Sequence, residues 1–295
     1  MKTPEISIVI GTLNRPKILL ELIHQLEEIS KTIPLEVLVF DQSDKNNYNL
    51  LLAKFPKKEN FRLVPQSEPN TCRYLNHGYK LAKASIILYL DDDVSVSNVA
   101  ILAHIMAFED PKILGVAGRV INDNERISGD NRVGKIQAFG AKFHKNFSFI
   151  DTAHVHFPYG CNMSFRKSVL EKVNGFDEKL QPPIFAYNEI DLGVRINKLR
   201  RNSILFEPKA RVLHHQYRSG GTRNNFSKKE IYGSTQFNYG YFIGKNYNIL
   251  ENIIFFIRRL PFQIMKEPRG FLYIIRGFIF SKSFRHMPPR QDPVE

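Results

Sequence analysis

The stretch SIILYLDDDVSVSN (residues 85–98) runs from an apolar segment straight into Asp91, Asp92 and Asp93. Three adjacent carboxylates at the edge of a dry core repel one another with little screening, so a positive partner is expected there. One of them has an ordinary use, since Asp93 or Ser95 could cap the helix that follows. A cap needs one carboxylate, not three. Hard divalent cations such as Mg2+ or Mn2+ take carboxylate and phosphate oxygens, often with only one or two protein carboxylates per ion. The chemistry expected is a metal on Asp93, with Asp91 and Asp92 near a nucleotide's ribose and around the metal. Asp41 stands at a comparable place, at the end of the apolar run LEVLVF.

Both sites fall where a buried strand meets a loop, so the surrounding elements decide whether they meet. EISIVIGTL (5–13) is a β-branched apolar run that reads as a buried strand. Pro16 suits a helix first turn, and Leu19, Leu22, Ile23, Leu26 and Ile29 follow at helical spacing. LEVLVF (35–40) is a second strand. A short polar helix, a strand near 61–65, a helix over 71–84 and the strand IILYL (86–90) continue the alternation. That alternation predicts an α/β chain with a doubly wound, mostly parallel sheet. Ligands bind such sheets outside the carboxyl ends of the strands, so Asp41 and Asp91–Asp93 should share one crevice. A helix over 98–108 and a strand over 113–121 follow, and 122–152 reads as a loop or short hairpin. Helical spacing returns at 188–201, and ILFEPKARVLHH (204–215) has strand character around Pro208.

With 295 residues, 43% of them hydrophobic, the chain can build one large α/β domain with an extension. Cys72 and Cys161 lie far apart with no CxxC, which excludes a disulfide framework and a cysteine zinc site and suits a reducing compartment. The N-terminal MKTPEISIVIG enters a strand pattern without a long apolar h-region. A cytoplasmic location is expected.

The net charge of +13 is uneven: residues 218–295 hold 13 Lys/Arg against 5 Asp/Glu, and 15 of the 35 Phe and Tyr. A basic, aromatic tail suits phosphate-rich partners such as anionic lipid. No run reaches the roughly 18–20 apolar residues that a membrane-spanning helix needs. Instead Ile253, Ile254, Ile257, Leu260 and Ile264 fall near one helical face, with Arg258 and Arg259 available to another, the pattern of a helix lying in the headgroup plane. No nucleic-acid-binding motif accompanies the charge, so nucleic acid is not expected as a partner.

Five segments, in order, resemble glycosyltransferase family 2. SIVIGTLNRP is similar to that family's first strand followed by T-x-N-R, and VLVFDQSD to its second strand ending in an acidic residue. CRYLNHGYKLAKASIILYLDDDV resembles the stretch that contains the family's D-x-D motif. GCNMSFRKSVLEKVNGFDE resembles its G-x-N-M-x-F-R…G-G-F-D-E segment, and NEIDLGVRINKLRRNSILFEPKARVLHH its E-D-x-D-L…H block. The likeness covers roughly residues 5–222.

It implies a GT-A fold with a C-terminal helical extension: residues 1–118 as the nucleotide-sugar half, 119–222 as the acceptor and catalytic half of the same domain, and 223–295 as the extension, for binding the membrane surface or the acceptor. It implies an inverting, metal-dependent glycosyltransferase that uses Mn2+ or Mg2+ and a UDP or dTDP sugar. The acceptor would be a glycan or glycolipid, such as a lipid-linked glycan in bacterial polysaccharide synthesis, reached from the anionic inner face of the cell membrane. By position, Thr12, Asn14 and Arg15 sit at the nucleotide end of the first strand, Asp41 meets the base, Asp91 the ribose and Asp93 the metal. His214 would be a further metal or diphosphate ligand, with His215 as the alternative. Family members usually show two acidic residues before x-D-L, the second being the base. Here those places hold Asn188 and Glu189, which leaves Glu189 as base and Asp191 in support, or the two with roles exchanged. The rival readings are a sugar-nucleotide nucleotidyltransferase, whose Gly-rich loop GTLNRPK lacks, and a non-catalytic membrane scaffold, kept open by Asn188.

Overall fold

The computed structural model describes residues 3–123, 131–217, 220–221, 226–266 and 268–283, with the backbone alone for 260 and 262–266. Strands β1 (Ile6–Thr12), β2 (Leu35–Asp41), β3 (Phe61–Pro65) and β4 (Ile86–Asp91) alternate with helices α1 (Pro16–Ile29), α2 (Lys45–Lys54) and α3 (Thr71–Leu81). Both faces of β1 and β2 are covered, which is why they read as continuous apolar runs rather than alternating ones. Pro16 starts α1, whose Leu19, Leu22, Ile23, Leu26 and Ile29 form its buried stripe. Asp44 and Asn70 cap α2 and α3 by accepting from the backbone N–H three residues on. The short β5 (Val94–Ser95) leads to α4 (Asn98–Ala107), and here the cap is Ser97, not Asp93 or Ser95. The triple Asp is therefore not used for capping.

Strand β6 (Gly115–Asn122) is followed by a hairpin of β7 (Lys135–Gln137) and β8 (Lys142–His144) within the stretch expected to be a loop or hairpin. Then come β9 (Ala153–His154), β10 (Asn162–Arg166), α5 (Lys167–Lys172), α6 (Asn188–Leu199) and β11 (Ile204–His214). The main sheet has the order β3-β2-β1-β4-β10-β6-β11-β5, with β9 also on β11. Its first four strands are parallel, β10 is inserted antiparallel between β4 and β6, and β6 and β11 are parallel. The chain steps from β1 to β2 on one side and returns to β4 on the other, so the order reverses at β1 and opens a crevice at its carboxyl end. The register of β11 shifts between Glu207 and Arg211, around Pro208, which has no N–H to give a ladder. The boundary expected at 118/119 falls inside β6, so both halves share one sheet.

The extension forms α7 (Lys228–Asn246), α8 (Ile249–Lys266) and α9 (Pro268–Lys282). A Cβ on Gly240 would strike the Ile274 carbonyl, and one on Gly277 the Phe237 carbonyl, so α7 and α9 approach backbone to backbone. Helix α7 also packs on the main domain. Tyr239 stacks on Tyr187 with ring centroids 5.1 Å apart, and Asn238 bonds the Gln181 backbone in both directions.

Candidate active site

The crevice at the end of β1 is lined by the carboxyl ends of β1, β2, β4 and β11, which brings together Thr12, Asp41, Asp91–Asp93 and His214. Arg15, at the start of α1, is the positive partner that the triple Asp requires. Its Nη1 donates to Asp92 Oδ1 at 3.1 Å and Asp93 Oδ2 at 3.3 Å, and its Nη2 donates to the carbonyls of Tyr217 and Gly220. One guanidinium thus ties β4 to the segment after β11. Gly220 and Gly221 lie against it with φ of +64° and +72°, in a space where a Cβ would strike Arg15. Arg223 lies outside the described residues.

Several residues expected at the nucleotide also bond to the chain itself. Asp92 is turned inward, where its Oδ2 accepts from Thr12 Oγ1 at 2.6 Å, and burial pushes its carboxyl up to about 6. Asn14 Oδ1 accepts from the Asp44 backbone N–H and from Asn47 Nδ2, which fixes the start of α2. Thr12, Asn14 and Asp92 therefore hold the frame. Asp91, by contrast, is the most exposed of the three acids, its side chain 44% accessible.

His214 Nε2 lies 3.3 Å from Asp93 Oδ1 and 3.8 Å from Asp91 Oδ2. Its Nδ1 meets Asn122 Oδ1 at 2.9 Å, and that oxygen also accepts from Gln216 Nε2 at 3.0 Å. Nδ1 therefore donates to Asn122, and Nε2 is the nitrogen turned to the carboxylates. Burial works against the charge of Asp93, but His214 and Arg15 outweigh it and hold its carboxyl below the usual range. His215 points elsewhere, to Ser95 Oγ at 2.8 Å and Asp123 at 3.5 Å. Cys161, which the sequence reading set aside, completes the cluster: its Sγ, an Asp91 oxygen and a His214 nitrogen lie within 4.8 Å of one another. Carboxylates, an oriented imidazole and a thiol make a donor set that suits a divalent cation. The signal for Cys161 is invisible locally, because it depends on β10 lying antiparallel beside β4.

Asp41 ends β2 almost fully buried. Its Oδ1 accepts from the Ser43 backbone N–H at 2.8 Å, while Oδ2 takes no hydrogen bond from any described residue. Burial pushes its carboxyl up, partly offset by Ser43. A buried, unpaired acceptor costs roughly 1–3 kcal/mol, which a donor from a bound molecule would recover.

Glu189 and Asp191 share the first turn of α6 but have different surroundings. Tyr187, at the N-cap, has φ +73°, a costly backbone for an aromatic residue, and stacks on Tyr239 and Phe242 of α7. Asn188 donates Nδ2 to the Phe185 carbonyl at 3.1 Å and holds that turn. Asp191 is buried and accepts from Arg195 Nε at 2.8 Å, Lys245 Nζ at 2.9 Å and Asn246 Nδ2 at 2.8 Å. Glu189 is half-buried. Burial pushes the Cys161 thiol up, and the charges of Asp91, Asp93 and Glu189 push it in the same direction.

The family model for "Glycosyl transferase family 2" matches residues 7–173. Chondroitin synthase of Pasteurella multocida (strain Pm70) is 24% identical over 221 residues, covering 65% of this chain and 23% of that protein. The chain thus spans about a quarter of the length of that curated relative. Among solved structures, GalNAc-T7 with UDP, GalNAc and Mn2+ superposes with a TM-score of 0.68 at 15% identity, over 97% of this chain and 58% of the other. S. aureus TarS 1–349 in complex with UDP-GlcNAc gives a TM-score of 0.63 at 15% identity, over 93% and 81%. Both likenesses are likenesses of fold.

Proposed function

The chain belongs to glycosyl transferase family 2 and has a GT-A fold, and from that premise we propose that it transfers a sugar, with inversion, from a nucleoside diphosphate to an acceptor hydroxyl. The observation that carries this reading is the meeting of Asp93 and His214 at 3.3 Å in the same crevice as the unpaired Asp41 carboxylate oxygen. Asp41 accepts the N3–H of a uracil or thymine base, and Asp91 the ribose hydroxyls. A Mn2+ or Mg2+ ion held by Asp93 and His214 would supply the Lewis acid that stabilises the departing diphosphate. Arg15 keeps the two inner carboxylates neutralised and fixed. Glu189 accepts the proton of the acceptor hydroxyl as its oxygen bonds to the anomeric carbon and the carbon–phosphate oxygen bond breaks. Attack from the face opposite the diphosphate inverts the anomeric centre in one step. Asn188, the departure from the family pattern, has a structural use before α6, which weakens the case for a decayed scaffold.

Thermal unfolding with UDP, dTDP and GDP, each with and without Mn2+, tests the site. A nucleotide at about 100 times its dissociation constant adds roughly 2.7 kcal/mol, and the shift should require Mn2+ and vanish in Asp93→Ala. No shift with any nucleotide would remove the nucleotide–metal reading.

The acceptor is a glycan carried on lipid, and the enzyme works at an anionic membrane surface. No helix among the described residues is long and apolar enough to cross a membrane. The support is the outer side of the extension. Ile253 and Ile257 on α8, and Leu272 and Ile279 on α9, are between 49% and 68% exposed. Arg258 is exposed beside the first pair, and Arg269, Leu272, Arg276 and Ile279 recur along one face of α9. Arg259, expected with Arg258 off the apolar face, lies over the Tyr239 ring. The full chain should sediment with phosphatidylglycerol vesicles and not with phosphatidylcholine alone. At about 1 kcal/mol per arginine near the surface, Arg269→Glu with Arg276→Glu should weaken that binding at least about tenfold. Equal sedimentation of this double variant would sink the membrane reading.

A further inference from the structure

Cys161 has no part in the transfer reaction, yet it stands among the groups that carry it. The register that pairs Asn162 with Leu90 puts Cys161 across from Asp91, where β4 ends. The register that pairs His214 with Val94 and Asn122 brings β11 to the same edge. The thiol, an Asp91 carboxylate oxygen and a His214 ring nitrogen come within 4.8 Å of one another as a result. Zinc bonds of about 2.3 Å to sulfur and 2.0–2.2 Å to nitrogen and oxygen give ligand separations of roughly 3.3–3.8 Å in a tetrahedral site. At 4.8 Å or less, the three donors stand within about an ångström of that spacing.

A buried cysteine is often only a small apolar side chain. Here the surroundings differ, because Asp93 Oδ1 also lies 3.3 Å from His214 Nε2, and the imidazole is oriented by Asn122. Thiolates select ions such as Zn2+ and Co2+, whereas carboxylates and phosphates suit Mg2+ and Mn2+. A site offering both kinds of donor can hold two classes of ion in two ways.

We propose that Cys161 is a ligand for thiophilic divalent cations at the nucleotide site, which is therefore a mixed carboxylate–thiolate–imidazole centre. The inference rests on the proposed metal role of Asp93 and His214 and adds a ligand and an ion class to it. When Zn2+ or Co2+ binds, the Cys161 thiol loses its proton to solvent and a sulfur–metal bond forms, with no electron transferred. Mg2+ and Mn2+ bind without the sulfur. Zn2+ consequently competes with Mn2+ for one site, and Cys161 sets the outcome of that competition.

The test is a titration of the full chain, free of nucleotide, with Co2+, read by thiolate-to-cobalt charge-transfer absorption in the near ultraviolet. Mn2+ binding is followed in parallel by electron paramagnetic resonance. The unchanged chain and Cys72→Ser should both give the charge-transfer band, and Cys161→Ser should lose it. Zn2+ affinity measured by displacement of Mn2+ should fall at least about tenfold in Cys161→Ser, because even losses outside the ligand shell cost that much. Cys161→Ala, which keeps a small apolar side chain, repeats the comparison should the serine variant fail to fold. Mn2+ binding without a band in the unchanged chain would overturn the proposal alone. Binding of neither ion would overturn it together with the metal role of Asp93 and His214. A band that persists without Cys161 would assign the sulfur to Cys72 and end the proposal.

Discussion

Glu189→Gln should lower the transfer rate by about 10²–10⁴-fold, the usual contribution of a positioned general base, while leaving nucleotide binding intact. The substitution keeps the size and the hydrogen-bonding reach of the side chain and removes only its ability to take a proton. The alternative base, Asp191, is poorly suited to the task. Burial raises its carboxyl pKa, but Arg195, Lys245 and Asn246 outweigh burial and pull it down to about 2. A base that holds its proton so weakly contributes little near neutral pH. Its oxygens are also occupied by three donors. Single-turnover product formation measures the loss, and the Mn2+-dependent thermal shift with nucleotide measures the retained binding. Proton NMR of the unchanged enzyme's product gives the anomeric configuration. Full activity in Glu189→Gln would move the base elsewhere, and a product with retained configuration would end the single-displacement scheme.

The sheet was legible because its signals are local. Apolar runs such as ISIVIGT and LEVLVFD have no alternation, and they end in acids at the carboxyl edge, where the order of such sheets predicts a crevice. What the sequence could not give is the identity of each acid's partner. Asp91, Asp92 and Asp93 look alike in a string. Their separation into an exposed, an inward and a half-clamped carboxylate depends on Thr12 and Arg15, some 80 residues away. The choice between His214 and His215 turns on strand alternation at the very end of β11, with a register shift in between. Cys161 lacks a CxxC partner, but that rule concerns sites made of cysteines along one loop. Its neighbours come from two other strands. The extension was legible as basic, aromatic and helical, but its bonds to α6 through Asp191 were not.

Asp191→Ala should destabilise the protein by about 3–5 kcal/mol, because it leaves Arg195 and Lys245 facing a buried site without their shared carboxylate. Lys245 retains Asp177 at 2.6 Å, which puts the effect toward the lower end. The loss has a pH signature that separates it from a simple cavity. The folded pKa of Asp191, about 2, lies below its ordinary value of 3.8. The ionised carboxylate therefore stabilises the fold fully above the unfolded pKa, and this contribution disappears as pH falls through the folded one. The shift corresponds to about 2 kcal/mol at 1.36 kcal/mol per unit. The stability difference between the unchanged chain and Asp191→Asn, from urea unfolding, should be constant above pH 5 and shrink by about that amount toward pH 2. A difference that stays flat across this range would mean the carboxylate is not held by its cationic partners. The same bonds join α7 to α6 two residues from Glu189, so Asp191→Asn should also lower the transfer rate at neutral pH while leaving Mn2+-dependent nucleotide binding unchanged. On that outcome the basic extension acts on catalysis through the helix that carries the proposed base, and not only through whatever surface it meets outside.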